Sequence, residues 1–178
     1  GMAQRLAERL SKARERQCVG RESELALFRT ALTTPDPPFY VLYLYGPGGV
    51  GKTTLVRKFV TLCEELGVLP IYVDASDVEP APEAFLGALG TALGTDATVS
   101  PIQFLAERNG RQVILIDTSE VLLPIDYWLS NVFLPQLTDN TMIVLAGRRQ
   151  PSPAWYADPG WRSLIRVVPL RNLSRDES

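Results

Sequence analysis

Residues 39–53 read Phe39-Tyr40-Val41-Leu42-Tyr43-Leu44-Tyr45-Gly46-Pro47-Gly48-Gly49-Val50-Gly51-Lys52-Thr53. The first seven are β-branched, leucine or aromatic residues, which suit a buried pleated strand. The last eight match GxxxxGK[ST]. After them Leu55, Val56, Phe59, Val60, Cys63 and Leu66 recur at the spacing of one helix face, so a helix is predicted over 51–66 with Cys63 in its core stripe. Strand, glycine-rich loop and helix in that order are the setting in which the motif has a mechanism. Glycines let the backbone curl until successive amides point inward, and the resulting nest lies at the positive end of the helix, where it cradles phosphates. Gly46, Pro47, Gly48, Gly49, Val50 and Gly51 are therefore candidate phosphate-binding residues. Lys52 is expected to reach the β- and γ-phosphates, Thr53 to offer its hydroxyl to a Mg²⁺ bridging them, and Thr54 to bond the α-phosphate.

Working outward, four further strands are predicted at Ile71–Val73, Val113–Ile116, Met142–Ala146 and Leu164–Val168. Helical patterns alternate with them. Ser100, Pro101 and Gln103 make a helix start closed by Asn109 and Gly110, and Ile125, Trp128, Leu129, Val132, Phe133 and Leu137 share one helical face, which makes Trp128 a core residue rather than a stacking ligand. Alternation of this kind implies right-handed βαβ units and a parallel sheet covered on both faces, an α/β three-layer fold. Val113-Ile114-Leu115-Ile116 ends in Asp117. A carboxylate at the tip of an apolar strand costs desolvation unless a cation or donors meet it, so Asp117 is the candidate second ligand of Mg²⁺. Glu120, three residues on, is the candidate for orienting the attacking water, with a helix-capping role as the alternative reading and Thr118 or Ser119 as candidate helpers in positioning the water. The strand 142–146 runs into Gly147-Arg148-Arg149, which places the Arg148 guanidinium where it can read a γ-phosphate.

Composition agrees by exclusion. The chain has 178 residues, 18 Lys and Arg against 20 Asp and Glu, a net charge of -2, two cysteines and no histidine. Histidine triads, HExxH metalloproteases and Cys/His zinc sites are ruled out. Length allows one core burying about 70% of its unfolded surface. No apolar run approaches the ~20 residues needed to cross a bilayer, and two unpaired thiols suit a cytoplasmic setting. The overall charge gives no footprint for nucleic acid, so direct nucleic-acid binding by this segment is not expected. Ala3, Leu6, Ala7, Leu10 and Ala13 alternate with basic residues as an amphipathic N-terminal helix, predicted to lie solvated against the domain. Gly1 ahead of Met2 reads as a cleavage scar, which divides the chain into 1–18, scar and helix, and 19–178, the core. A second helix runs from Glu22 to Leu32. Ser174 and Glu177 form a capping box, the start of a further helix, so the chain is expected to be cut from a longer protein. Between Phe59 and Glu107 lie eight acidic residues and no basic one, predicted to be a solvated acidic face. Trp155 and Trp161 are expected to pack under a Pro- and Gly-rich connection.

These residues resemble the signal-transduction ATPases with numerous domains, the STAND proteins, within the AAA+ group of P-loop ATPases. Val19-Gly20-Arg21-Glu22-Ser23-Glu24-Leu25 is similar to the VGRxxEL segment whose backbone contacts adenine in that family, which makes Val19, Gly20 and Arg21 candidate nucleotide-binding residues. The Walker A motif at 46–53, the Walker B strand at 113–117 and the Gly147-Arg148 pair stand in the family's order. The resemblance implies a five-stranded sheet of order 5-1-4-3-2, with the Arg148 strand between the Walker A and Walker B strands. It implies ATP and ADP with Mg²⁺ rather than GTP, and no NKxD stretch occurs. It also implies helical, winged-helix and effector regions beyond this segment, nucleotide-dependent self-association, and a slow switch in which exchange of ADP for ATP releases an effector, often a transcription regulator. The Asp117-Thr118-Ser119-Glu120 spacing departs from an adjacent acidic pair and argues for slow hydrolysis. The rival readings are an AAA+ ATPase acting on nucleic acid, a small-molecule kinase, and a nucleotide-binding module without turnover.

Overall fold

The computed structural model describes residues 3–19 and 21–171, with side chains at 3–13 and 21–171. Five strands, β1 (Val41–Tyr45), β2 (Leu69–Asp74), β3 (Gln112–Asp117), β4 (Thr141–Gly147) and β5 (Ile165–Pro169), form one parallel sheet of order β2-β3-β4-β1-β5. Read from the other edge this is the 5-1-4-3-2 order of the P-loop nucleotide-hydrolase fold. The register aligns Asp74 with Asp117, Asp117 with Ala146, and Tyr45 with both Gly147 and Pro169, so all five carboxyl ends share one edge. Ligands of open α/β sheets bind outside that edge.

Side chains alternate across the sheet and build two cores. Leu42, Leu44, Val113, Leu115, Val144 and Ala146 face α2 (Glu22–Thr33) and α3 (Lys52–Glu65), where Phe28 stacks on Phe59 with centroids 4.2 Å apart. Val41, Tyr43, Ile114, Ile116, Ile143 and Leu145 face the other layer, which includes α4 (Pro82–Leu93) and α5 (Pro101–Glu107). β3 and β4 are buried along their whole length, as central parallel strands should be, whereas β5 is an edge strand with Arg166, Val167 and Pro169 exposed. Cys63 is buried in the first core, pushed up to about 12 by burial.

Four expectations change. The patterned stretch 125–137 is not a regular helix. It is a 3-10 segment (Ser119–Ile125), a single α turn α6 (Asp126–Trp128), a π turn (Leu129–Phe133) and a 3-10 turn (Leu134–Gln136). Pro124 and Pro135 remove backbone donors within this stretch, so no single hydrogen-bond ladder runs through it. Trp128 is nonetheless a packing residue, stacked on Phe133 at 5.5 Å and edge-on to Phe85 at 6.0 Å. α4 has no counterpart in the sequence reading, although Pro82 at its first turn and Gly94 in the left-handed C-cap mark both ends. The connection 151–164 carries two short helices, α7 (Pro153–Tyr156) and α8 (Pro159–Leu164), with Trp155 buried and the Trp161 indole donating to the Ser130 carbonyl at 2.8 Å. Finally, α1 (Leu6–Val19) meets the domain at α3, but the apolar side chains described on it stay in solvent, with Leu6 83% and Leu10 50% exposed.

Other readings hold. Ser100 caps α5 by accepting from the Gln103 amide at 3.2 Å, while the Gln103 side chain donates to Glu107 instead of reaching back. All eight carboxylates between 59 and 107 are exposed. Among the described residues no helix is long and apolar enough to cross a membrane. Gly1, Met2 and the capping box at Ser174–Glu177 lie outside the described residues, as does Gly20.

Candidate functional site

The loop after β1 is held at both flanks of the sheet. The Gly46 amide donates to the Gly147 carbonyl at 3.1 Å, and the Leu170 amide donates to the Tyr45 carbonyl at 2.7 Å. A Cβ on Gly46 would collide with the Leu170 carbonyl oxygen, so no larger residue fits there. Gly49 and Gly51 have φ of 85° and 87°, the left-handed region that a Cβ makes costly. Gly51 is the N-cap of α3, so the unpaired amides of its first turn face the loop. Lys52 folds back, donating to the carbonyls of Gly46 at 2.6 Å and Pro47 at 2.9 Å. Burial lowers the pKa of Lys52, the charges of Glu120 and Asp117 oppose that shift, and Arg148 adds to it.

Across from the loop stand the ends of β3 and β4. Gly48, Gly49, Gly51, Lys52, Thr53 and Thr54 make one wall of a cleft of about 320 Å³, and Asp117, Thr118, Glu120 and Arg148 make the other. Asp117 is 4% exposed. Its Oδ1 accepts from the Thr118 amide at 2.9 Å and its Oδ2 from the Tyr72 hydroxyl at 3.1 Å. Burial, with the Asp117 charge next, pushes Tyr72 up to about 12, which keeps it a donor. Thr118 has φ of 58°, the one positive value at a non-glycine among the described residues. A β-branched residue there is a strained conformation, and it turns the chain sharply at the metal-ligand candidate. The turn brings Glu120 beneath the end of β4, where its Oε1 accepts from the Arg148 amide at 3.1 Å. A Cβ on Gly147 would lie 2.8 Å from Ser119 Oγ and 3.3 Å from Glu120 Oε1, so the fit requires glycine. The Arg148 guanidinium reaches over the loop, 3.1 Å from where a Cβ on Gly48 would stand.

The structure thus gathers Lys52, Thr53, Thr54, Asp117, Glu120 and Arg148 around one cleft. Gly48, Gly49 and Gly51 line it with them, while other candidates stand off its walls. The Val50 side chain is buried in the first core, and neither Gly46 nor Pro47 lines the cleft. The Arg21 side chain has a structural place. It is 4% exposed, away from the cleft, and its Nη2 donates to the Val50 carbonyl at 2.9 Å and the Arg171 carbonyl at 2.6 Å, while its buried Nε finds no acceptor. Its side chain braces the loop from behind. Val19 ends α1, and Gly20 lies outside the described residues.

Two contributors were not read from the sequence. Tyr72 sits near the end of β2 with nothing but strand alternation to mark it. Asp126, on α6, accepts from Ser152 Oγ at 2.9 Å and so ties the chain after Arg148 to the segment after Asp117. Burial raises its pKa to about 6. Buried Tyr43 is likewise raised to about 12, by burial first and then by the charges of Asp126 and Glu120.

The donor set suits a hard divalent cation held jointly with phosphate. Asp117 and Thr53 offer one carboxylate and one hydroxyl, and among the described residues no group of three or more His, Cys, Asp or Glu could hold a metal by itself. Mg²⁺ takes one or two protein oxygens and completes its shell with phosphates and water.

A sequence profile described as the AAA ATPase domain matches residues 17–153. Among solved structures the chain is similar to Cdc6p from Pyrobaculum aerophilum, with a TM-score of 0.66 and 19% identity over 88% of this chain and 46% of that one. It is similar to Drosophila ORC bound to DNA, at 0.66 and 21% identity over 92% of this chain and 46% of the other. It also resembles AMPPCP-bound DnaA from Aquifex aeolicus, at 0.52 and 16% over 85% and 47%. At these identities the likeness concerns the fold, and the chain spans under half the length of each. No curated protein sequence matches it.

Proposed function

The chain belongs to the AAA ATPase domain family, and on that premise we propose that residues 19–178 form an ATP-binding, slowly hydrolysing switch domain of a larger STAND-type regulatory protein. The observation that carries this is the convergence on one cleft of the α3 N-terminus, Lys52, Asp117 and Arg148, combined with a Glu120 carboxylate already engaged by the Arg148 amide. Amides of the loop and of the first turn of α3 bind the phosphates. Lys52 exchanges the Gly46 and Pro47 carbonyls for β- and γ-phosphate oxygens, a short swing because it already lies on the loop. Asp117 and Thr53 would hold Mg²⁺, which would offset the charge that develops on the phosphate oxygens. Arg148, lying over Gly48, pairs with the γ-phosphate.

Glu120 has Oε1 tied to the Arg148 amide and Oε2 left to orient water. A carboxylate held at one oxygen by the chain of the γ-phosphate sensor turns less freely toward water, so binding outlasts hydrolysis. A site of that kind serves residence, in which ADP and ATP select different states and ATP favours self-association and release of an attached effector, such as a transcription regulator. The direct test is thermal: ligand at 100 times its dissociation constant stabilises by ~2.7 kcal/mol. For a domain of this size Mg-ATP and Mg-ADP should each raise the melting temperature by roughly 5 to 11 °C. Absence of a shift with both would sink the nucleotide reading.

A second reading, an AAA+ ATPase acting on nucleic acid, draws support from likeness to an ORC bound to DNA and from the exposure of Arg148, which lines the cleft, and of Arg149 next to it in the chain. It predicts DNA affinity that falls steeply with salt, whereas the switch reading predicts none for this segment.

A further inference from the structure

Tyr72 lies on β2, opposite Leu115 of β3 in the sheet register. Leu115 and Val113 belong to the core against α3, and the Tyr72 ring packs against that same core. Asp117 is two residues beyond Leu115, so it projects from the same face, the face on which α3 starts and Thr53 stands. A tyrosine and the residue diagonal to it across a strand pair lie within reach of an aromatic side chain. Here the hydroxyl closes that diagonal at 3.1 Å from Asp117 Oδ2.

The consequence is geometric. Asp117 has one oxygen tied to the amide of its own turn, through Thr118, and the other tied to the neighbouring strand, through Tyr72. With both oxygens held, the plane of the carboxylate cannot rotate about Cβ–Cγ. Each oxygen keeps a second lone pair for a cation in the cleft. Remove the phenolic hydroxyl and only the local tie remains, leaving the carboxylate free to turn.

We propose that Tyr72 is the positioning residue for Asp117, orienting its carboxylate toward the divalent cation of the bound nucleotide. The inference rests on reading the cleft as a Mg-nucleotide site. Outer-shell partners of metal ligands are worth about 10- to 100-fold in metal affinity. Tyr72→Phe keeps the ring, its packing and the fold while deleting the hydroxyl. ATP binding by wild type, Tyr72→Phe and Tyr72→Leu would be measured by calorimetry in EDTA and across a Mg²⁺ titration, with melting temperatures of each protein alone.

The expected result for Tyr72→Phe is an unchanged melting temperature, unchanged affinity in EDTA, and a Mg²⁺ concentration for half-maximal enhancement raised about 10-fold. Tyr72→Leu should show the same Mg²⁺ shift and, in addition, a lower melting temperature. If Tyr72→Phe matches wild type at every Mg²⁺ concentration, or only Tyr72→Leu is shifted, the ring acts by packing and the inference is overturned while the nucleotide site stands. If wild type itself shows no Mg²⁺-enhanced binding, the reading of the cleft fails and takes the inference with it.

Discussion

The two walls of the cleft are built by opposite means. The phosphate wall is one continuous stretch, Gly46 to Thr54, whose chemistry lies in backbone amides and one lysine. Its shape follows from glycines in left-handed conformations and from the start of a helix. The facing wall is assembled from strand ends far apart in sequence: Asp117 at the end of β3 with Glu120 after it, and Arg148 after β4, with Tyr72 of β2 tied to Asp117. Its coherence comes from side-chain contacts between those ends, Tyr72 with Asp117 and Glu120 with the Arg148 amide. On the proposed reading, binding therefore depends on a local motif and turnover on tertiary contacts. A domain built this way should keep hold of nucleotide under perturbations that stop hydrolysis.

The most severe way to test that contrast is at Lys52. Lys52→Ala removes the one ammonium on the phosphate wall, and it should abolish the melting shift with both nucleotides while leaving the apo fold intact. Retained affinity would mean that the facing wall carries binding.

Glu120 comes next. Glu120→Gln preserves an oxygen acceptor for the Arg148 amide but removes the base, so phosphate release should fall by about 10²- to 10⁴-fold with ATP affinity kept. Glu120→Ala should lose turnover and weaken ATP relative to ADP as well, since Arg148 loses its support. Unchanged turnover in Glu120→Gln would leave the residue a brace and nothing more.

The smallest effect concerns Asp126, which links the chain on either side of Arg148. Its folded pKa, about 6, lies above the unfolded value of 3.8, so the folded form holds the proton more tightly. That contribution to stability is fully present below about 3.8 and is lost as pH rises through about 6. Asp126→Asn, which can still accept from Ser152, should flatten this decline and melt higher than wild type above pH 6. Parallel melting curves from pH 4 to 8 would refute the linkage.

Legibility followed the same division. Walker A and the strand–loop–helix around it were readable because a contiguous motif at fixed spacing has one physical use. Asp117 was readable because a carboxylate at the tip of an apolar strand has few others. Tyr72 and Asp126 were not, since a tyrosine in a strand and an aspartate in a polar turn look like their ordinary neighbours until the fold sets a partner beside them. Arg21 shows the converse: the motif around it marked a backbone contact with adenine and said nothing of its guanidinium, which the fold sets on the Val50 and Arg171 carbonyls. The irregular stretch 119–136 buries Ile125, Leu129 and Phe133 as the sequence promised but leaves Val132 44% exposed, and Pro124 and Pro135 denied it a helical ladder.

By itself, then, the amino-acid order determined the parallel α/β architecture, the anion-binding loop and the exclusion of histidine and zinc chemistry, because periodicity, glycine conformation and composition act locally. The tertiary structure alone decided how Asp117 is held and what Glu120 touches, and it put Arg148 over the loop. The two hydrogen bonds among those relations, Tyr72 to Asp117 and Arg148 to Glu120, join residues 45 and 28 apart, and no local rule specifies a hydrogen bond at that range.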